Sequence, residues 1–230
     1  MSARRLLPRG LLPRGLRTNT TAALLATTLL AMLLAGCGNL LPKPAAPPIT
    51  YTLEAGTEAG AQPAAAAASA PTLAVSALQA AAGYDSARIV YMRQPQQLEA
   101  YAQSVWVDTP ARLLAPLLVA ALQRSGAYAA VVSAPSAAAS TLRLDTGLLR
   151  LRQDFEGGAS TVTLTLRATL VDGAARQVLG SRDFSATVPA ATADSAGGVR
   201  AAQAATRQVL AQLAEWCAAA ASRTGSRTPR

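Results

Sequence analysis

Thr161-Val162-Thr163-Leu164-Thr165-Leu166-Arg167-Ala168-Thr169-Leu170-Val171 is the stretch that decides the fold. Val162, Leu164, Leu166, Ala168 and Leu170 share one parity, and Thr161, Thr163, Thr165, Arg167 and Thr169 the other. Successive side chains of a strand point to opposite faces, so the alternation predicts a strand with one face buried and one in water, as in an antiparallel sheet. Asp172-Gly173 then turns the chain. Val178 to Val188 returns, with Phe184, Ala186 and Val188 inward. Upstream, Thr141 to Arg152 supplies a third strand with a parity change. Leu142 and Leu144 point one way, Leu149 and Leu151 the other, and a bulge near Gly147 reconciles them.

Further out, the apolar period lengthens to that of helices. Val199, Ala202, Thr206, Val209, Leu213 and Trp216 recur at helical spacing in a long closing helix that opens at Asp194 or Ser195. An earlier helix carries Leu113, Leu114, Leu117, Leu118 and Leu122 on one face. Asp108 or Thr109 can cap it, Pro110 suits its first turn, and Gly126 ends it. Pro116 lies inside it and is expected to perturb it, because its ring clashes with the carbonyl four residues back. Short strands are predicted at Leu73-Ala74-Val75, Arg88 to Arg93 and Val131-Val132, and the apolar island Ile49 to Leu53 reads as a strand laid on the domain edge. The order strand, strand, helix, strand, meander, helix implies an α+β domain: a mainly antiparallel sheet with two helices packed on one face.

Aromatic residues are only 4% of the chain, so Leu, Val and Ala must build the core. Histidine is absent, which removes the commonest general base and metal ligand. The net charge of +9 lies mostly at the ends. Setting aside Arg4, Arg5, Arg9, Arg14, Arg17 and the terminal Arg223, Arg227 and Arg230 leaves +1 for the body. A nucleic-acid binder needs a basic patch in its folded domain, and this body has none to spare.

The amino terminus has its own logic. The arginines from Arg4 to Arg17 precede an apolar run from Thr21 to Ala35, too short and too interrupted by Thr for a permanent span and suited to the apolar region of a secretory signal. It ends in Leu34-Ala35-Gly36-Cys37, which resembles the lipobox of bacterial lipoproteins. Small residues before the cysteine admit the peptidase. The Cys37 thiol receives diacylglycerol and the freed amine is acylated. Each buried CH₂ adds about 0.8 kcal/mol of membrane affinity, so several chains hold firmly. Gly38 follows Cys37 where an Asp would favour inner-membrane retention, which points to the outer membrane, facing the periplasm. Residues 1–36 are thus read as signal peptide, 37–71 as a Pro/Ala-rich tether, 72–221 as the domain and 222–230 as a disordered tail. With Cys37 consumed, Cys217 is left unpaired, and as an apolar neighbour of Trp216 it reads as a buried small hydrophobe.

The run Arg88-Ile89-Val90-Tyr91-Met92-Arg93-Gln94-Pro95-Gln96-Gln97-Leu98-Glu99-Ala100-Tyr101, followed by Trp106-Val107-Asp108-Thr109-Pro110 and Leu113-Leu114, resembles the ABC-type transport auxiliary lipoprotein family. That family's pattern is a strand ending in Tyr, a Pro-x-x-Leu step, a second Tyr, then a Trp and a Pro opening a helix. Val107-Asp108-Thr109 depart from it slightly, which bears on helix capping. The resemblance covers roughly residues 50–220 and implies a non-enzymatic, periplasm-facing lipoprotein. Its partners would be an ABC permease, its ATPase and a mammalian-cell-entry (MCE) domain protein of Pqi- or Mla-like systems that move lipids between membranes. It would dock that assembly to the outer membrane.

Tyr91, Tyr101 and Trp106 are candidates for a partner surface, since aromatics with a polar tip suit interfaces; the alternative is that they fasten the first helix to the sheet. Asp154 and Glu156 flank Phe155 before Gly157-Gly158, a spacing better read as a solvated hairpin tip than as paired glycosidase carboxylates. No catalytic constellation, metal spacing or phosphate loop is legible, and no cofactor is expected beyond the covalent lipid. Direct lipid carriage and a structural envelope role, as a cell-wall synthase activator or secretion pilot, are the competing readings. Self-assembly into a homo-oligomer stays open.

Overall fold

The computed structural model describes residues 23–26, 28, 46–54, 70–136, 138–156 and 158–225. The chain divides at Ala46 and Pro47 into two units. In the first, residues 23–26 and 28 are helical, and Thr28 Oγ1 donates to the carbonyls of Leu24 and Leu25. The second, from Pro47, holds the sheet and the two helices packed on it.

Its strands are β1 (Ile49–Tyr51), β2 (Thr72–Val75), β3 (Gln79–Ala80), β4 (Arg88–Met92), β5 (Leu98–Trp106), β6 (Ala130–Ser133), β7 (Leu142–Glu156), β8 (Ala159–Asp172) and β9 (Gln177–Pro189); its helices are α1 (Pro110–Arg124) and α2 (Ser195–Gly225). All nine strands join one sheet. The strand β7 lies at its centre. One edge of β7 pairs antiparallel with β8 from Leu142↔Asp172 to Glu156↔Ala159, and β8 pairs antiparallel with β9. The other edge receives β2, β3 and β4 in turn, all parallel. Beyond these, β6 lies parallel to β2, β5 antiparallel to β4, and β1 parallel to β5. Both helices cover one face, α2 over β8 and β9 and against α1.

The β8 alternation is realised as read. Val162, Leu164, Leu166, Ala168 and Leu170 are buried beneath the helices. On the open face the hydroxyls pair across the strands: Thr163 with Thr187 at 3.1 Å, Thr165 with Ser185 at 2.9 Å, Thr169 with Ser181 at 2.9 Å. Among them Arg167 clasps Asp183 through two bonds of 2.7 and 2.8 Å, which lowers the carboxyl's pKa and raises the guanidinium's. Such exposed pairs add little each but keep a flat polar face in register. Asp172 Oδ1 accepts the N–H groups of Ala174 and Ala175 and so builds the predicted turn.

The bulge falls at Leu149, between the paired Leu148 and Arg150, two residues beyond Gly147. Leu142, Leu144 and Leu148 are buried before it, and Leu151 and Gln153 after it. Leu149 itself is the extra residue and only half-buried, so it does not share the inward face of Leu151.

Two strands were not legible in advance. β5 reads Leu-Glu-Ala-Tyr-Ala-Gln-Ser-Val-Trp, a run with helix-favouring Ala, Glu and Gln and no clean period. Its pairing with β4 slips between Arg88 and Val90, and that irregularity erases the alternation. β3 is two residues long and leaves no period at all.

Thr109 is the N-cap of α1 with extended backbone but no side-chain cap bond, and Pro110 sits in the first turn. Asp108 Oδ1 instead accepts the Thr109 N–H at 2.7 Å, while its other oxygen pairs with Arg112 at 3.2 Å. The helix runs unbroken through Pro116. Pro116 and Arg112, whose carbonyl loses its partner, are both exposed, so water can satisfy that carbonyl. Gly126 follows with φ 65°, the left-handed turn that glycine adopts at no steric cost.

Asp194 caps α2, its Oδ1 accepting from Gly197 N–H at 2.7 Å and from the Thr192 hydroxyl at 2.8 Å. These bonds, the backbone one foremost, hold its carboxyl below the usual range. The buried face of α2 is largely alanine, with Ala201, Ala202, Ala205, Ala214, Ala220 and Ala221 beside Val209, Leu210 and Leu213. Small side chains let the helix lie close on the sheet. Trp216 stacks edge-on to Phe184 at 5.7 Å, above Gly180, where a Cβ would stand 3.1 Å from the indole. α2 continues to Gly225, into the stretch read as tail.

Cys217 is fully buried and free. Burial pushes its thiol from 9.0 up to about 12, against the smaller opposing pull of Tyr128. The Tyr128 phenol is raised as well, by burial first and then by Cys217, and its hydroxyl makes no well-formed hydrogen bond. Both groups have folded pKa values above their unfolded ones. Their contribution is therefore complete below about pH 9 and fades as pH climbs toward 12. Urea midpoints should stay level from pH 7 to about 8.5 and then fall. Cys217 should resist thiol reagents at pH 8 until the protein unfolds. A midpoint level to pH 11, or rapid native-state labelling, would contradict this packing.

Candidate functional site

Cys37, the residue expected to carry lipid, and the preceding Leu34, Ala35 and Gly36 lie outside the described residues, as do the 37–45 stretch and the carboxyl end from 226.

The candidate aromatics lie on two strands, Tyr91 on β4 and Tyr101 and Trp106 on β5, and the two tyrosines meet Phe155 of β7 where β4 joins β7. β4 sets Tyr91 opposite Gln153 of β7 and opposite Glu99 of β5. The Tyr91 ring lies 4.7 Å from Tyr101 and 5.8 Å, edge-on, from Phe155. Its hydroxyl donates to Glu99 Oε2 at 2.9 Å. Burial first, then Glu99, raises the Tyr91 pKa, so the phenol stays protonated and keeps donating. Burial likewise takes Tyr101 up to about 12, and its hydroxyl donates to Gln153 Oε1 at 3.0 Å. Gln153, 2% exposed, passes the chain on by donating to Ser160 Oγ at 3.0 Å.

Trp106 stands apart from this cluster. It closes β5 at 4% exposure and lines a hollow of about 10 Å³ with Ile89, Leu151, Gln153, Gly198 and Ala202. That volume holds one water at most. Tyr91, at 8%, is buried too, and Tyr101 packs partly buried against the core. The aromatics therefore join the β4–β5 arm to β7 and to the start of α2, rather than standing out as a surface.

What faces solvent beside them is Arg93. Its guanidinium lies 4.9 Å from the Tyr91 ring centre and 5.7 Å from that of Phe155, a cation held over two aromatic faces. With Met92, Gln94, Pro95, Phe155 and Thr187 it lines an open groove of about 470 Å³. Arg152 and Asp154 also reach this groove and pair at 2.7 Å. Arg93, Phe155, Glu99 and Gln153 escaped the sequence reading. Gln153 had a signal: once the bulge is placed, a glutamine falls on the inward parity of a core strand.

The glycine pair at the start of α2 belongs to the same assembly. A Cβ on Gly197 would strike the Thr192 carbonyl, and one on Gly198 would strike Gln153 Oε1. Ser104 and Ser195 share a hydrogen bond of 2.9 Å that ties β5 to the first turn of α2. Among the described residues no three His, Cys, Asp or Glu side chains gather as a metal site, and no helix is long and apolar enough to cross a membrane.

A family model described as "ABC-type transport auxiliary lipoprotein component" matches residues 51–214. Among solved structures, the chain is similar to protein XCC0632 from Xanthomonas campestris, labelled DUF330, at 26% identity and TM-score 0.63, over 80% of this chain and 99% of that one. It is also similar to the crystal structure of an uncharacterized protein, at 16% identity and TM-score 0.59, over 75% and 99% of the two chains. The latter speaks for the fold alone. The curated proteins contain no match.

Gln153 is pinned at both ends of its amide, so it cannot swing away from a new neighbour at Gly198. Gly198→Ala should cost about 1–3 kcal/mol of stability through overpacking. Adding Gln153→Ala should relieve the clash, making the double variant less destabilised than the sum of the two singles. Strict additivity in urea unfolding would show that the two residues do not meet.

Proposed function

This chain belongs to the ABC-type transport auxiliary lipoprotein family, and on that premise we propose that it is a non-catalytic accessory lipoprotein of an MCE/ABC lipid-transport system. Acyl chains on Cys37 hold it in the outer membrane, and its domain faces the periplasm and docks the transporter assembly there. The observation that carries this reading is the family match over residues 51–214, joined to the Leu34-Ala35-Gly36-Cys37 motif upstream of it.

The physical parts are consistent with such a role. The arginine-rich start and apolar run supply export, and Cys37 supplies the anchor. Gly38 in place of an acidic residue supports outer-membrane delivery. The domain offers a rigid sheet with an open polar face and a groove headed by Arg93, whose charge is presented by Tyr91 and Phe155. Tyr91 and Tyr101 serve docking by holding that corner in shape, and Trp106 by fastening the end of β5 into the core. The partners on this reading are an MCE-domain protein and the ABC permease with its ATPase.

The test is a crosslinking pull-down from cell envelopes through a carboxyl-terminal tag, with Cys37→Ser and Arg93→Glu as comparisons. Recovery of an MCE protein and an ABC permease is expected, strongly reduced in Cys37→Ser and weakened in Arg93→Glu. Recovery of only cell-wall or secretion components would overturn the proposal.

A further inference from the structure

Between Cys37 and the compact domain the sequence shows a long Pro/Ala-rich stretch, yet the chain is fastened to the sheet before that stretch ends. Ile49, Thr50 and Tyr51 pair in parallel with Ser104, Val105 and Trp106. Val107 N–H donates to the Tyr51 carbonyl at 2.7 Å, extending the ladder by one bond. Leu53 is 4% exposed within the core, and Tyr51 packs against it. β1 begins twelve residues after Cys37. The chain is fastened again at β2, where Thr72 pairs with Ala130 and Leu73 with Leu142. Residues 54–71 therefore run from one fixed point of the domain to another, and their length adds nothing to the distance between the lipid and the domain.

We infer that β1 sets the reach of this protein: the membrane tether is residues 38–48 alone, and the β1 edge of the sheet is the membrane-proximal end of the domain. The inference rests on lipidation at Cys37. Twelve residues extend to about 40 Å at most, whereas a tether running to β2 would reach about 120 Å. Random-coil dimensions give twelve residues a root-mean-square span of about 20 Å, less than the width of a domain of this size. The domain is held against its own membrane, and a partner assembly must come to it across the remaining gap. Release of β1 would free the longer linker and roughly triple the extended reach.

The two linkers can be lengthened one at a time without touching the sheet. An identical Gly/Ser insert of about twenty residues is placed between Pro48 and Ile49 in one variant and between Glu58 and Ala59 in the other. Each acylated protein is reconstituted on phosphatidylethanolamine/phosphatidylglycerol vesicles carrying a dansyl lipid, and energy transfer is read from Trp106 and Trp216. The first insert should lower transfer about twofold, because the root-mean-square tether length grows by about 1.6-fold. The second should leave transfer at the wild-type level. Equal losses from both inserts, or none from either, would overturn the inference. Intact mass and vesicle flotation report acylation separately: a chain that gains no lipid mass and does not float removes the lipidation reading and the tether with it.

Discussion

The strand β7 is wired on both edges, and the rest of the domain depends on that. One edge carries the long ladder to β8, broken only by the bulge at Leu149, and the other receives β2, β3 and β4 as three short parallel partners. Strands this short need neighbours to be stable: β3 has β7 alone, while β2 and β4 are held between β7 and a second partner, β6 and β5. The single extra residue at Leu149 shifts the parity partway along. Before it Leu142, Leu144 and Leu148 face the helices; after it Leu151 and Gln153 do. Without the bulge, Gln153 would turn to solvent, and Tyr101, Ser160 and the start of α2 would lose their common neighbour.

That junction explains how a chain so poor in aromatics organises its active corner. Alanine and glycine bring α2 down to the sheet at Gly197, Gly198 and Ala202, while three of the nine aromatics, Tyr91, Tyr101 and Phe155, gather where β4, β5 and β7 meet. Tyr91 and Phe155 then present Arg93 to solvent. Burial holds the Tyr91 and Tyr101 phenols protonated, Asp154 is paired with Arg152, and burial pushes the Cys217 thiol away from ionisation. The corner shows solvent one exposed cation over two rings, on a chain of an auxiliary lipoprotein family.

Much of this was readable in the chain because the signals are local. The period-two pattern of Thr161–Val171, the Asp172-Gly173 turn, the parity change in β7 and the α2 stripe each need only neighbouring residues. What escaped was set by distant partners. β5 has an irregular pattern because its pairing with β4 slips, so Trp106 at its end could be picked out as an aromatic but not seen to be in the core. The parallel attachment of β2, β3 and β4 to one edge of β7 has no counterpart in the sequence. Arg93 carried no mark distinguishing it from any other surface arginine, since its role comes from two rings brought to it by different strands.

Native-state hydrogen exchange, read peptide by peptide in rising urea, tests the dependence on β7 most directly. Amides of β7 and β8 should exchange only through global unfolding, with the free energy and urea slope of the whole domain, while β1 and β6 open locally at lower cost. A β7 that exchanges through local opening while β4, β5 or β2 remain protected would contradict the account, because those strands would then stand without it.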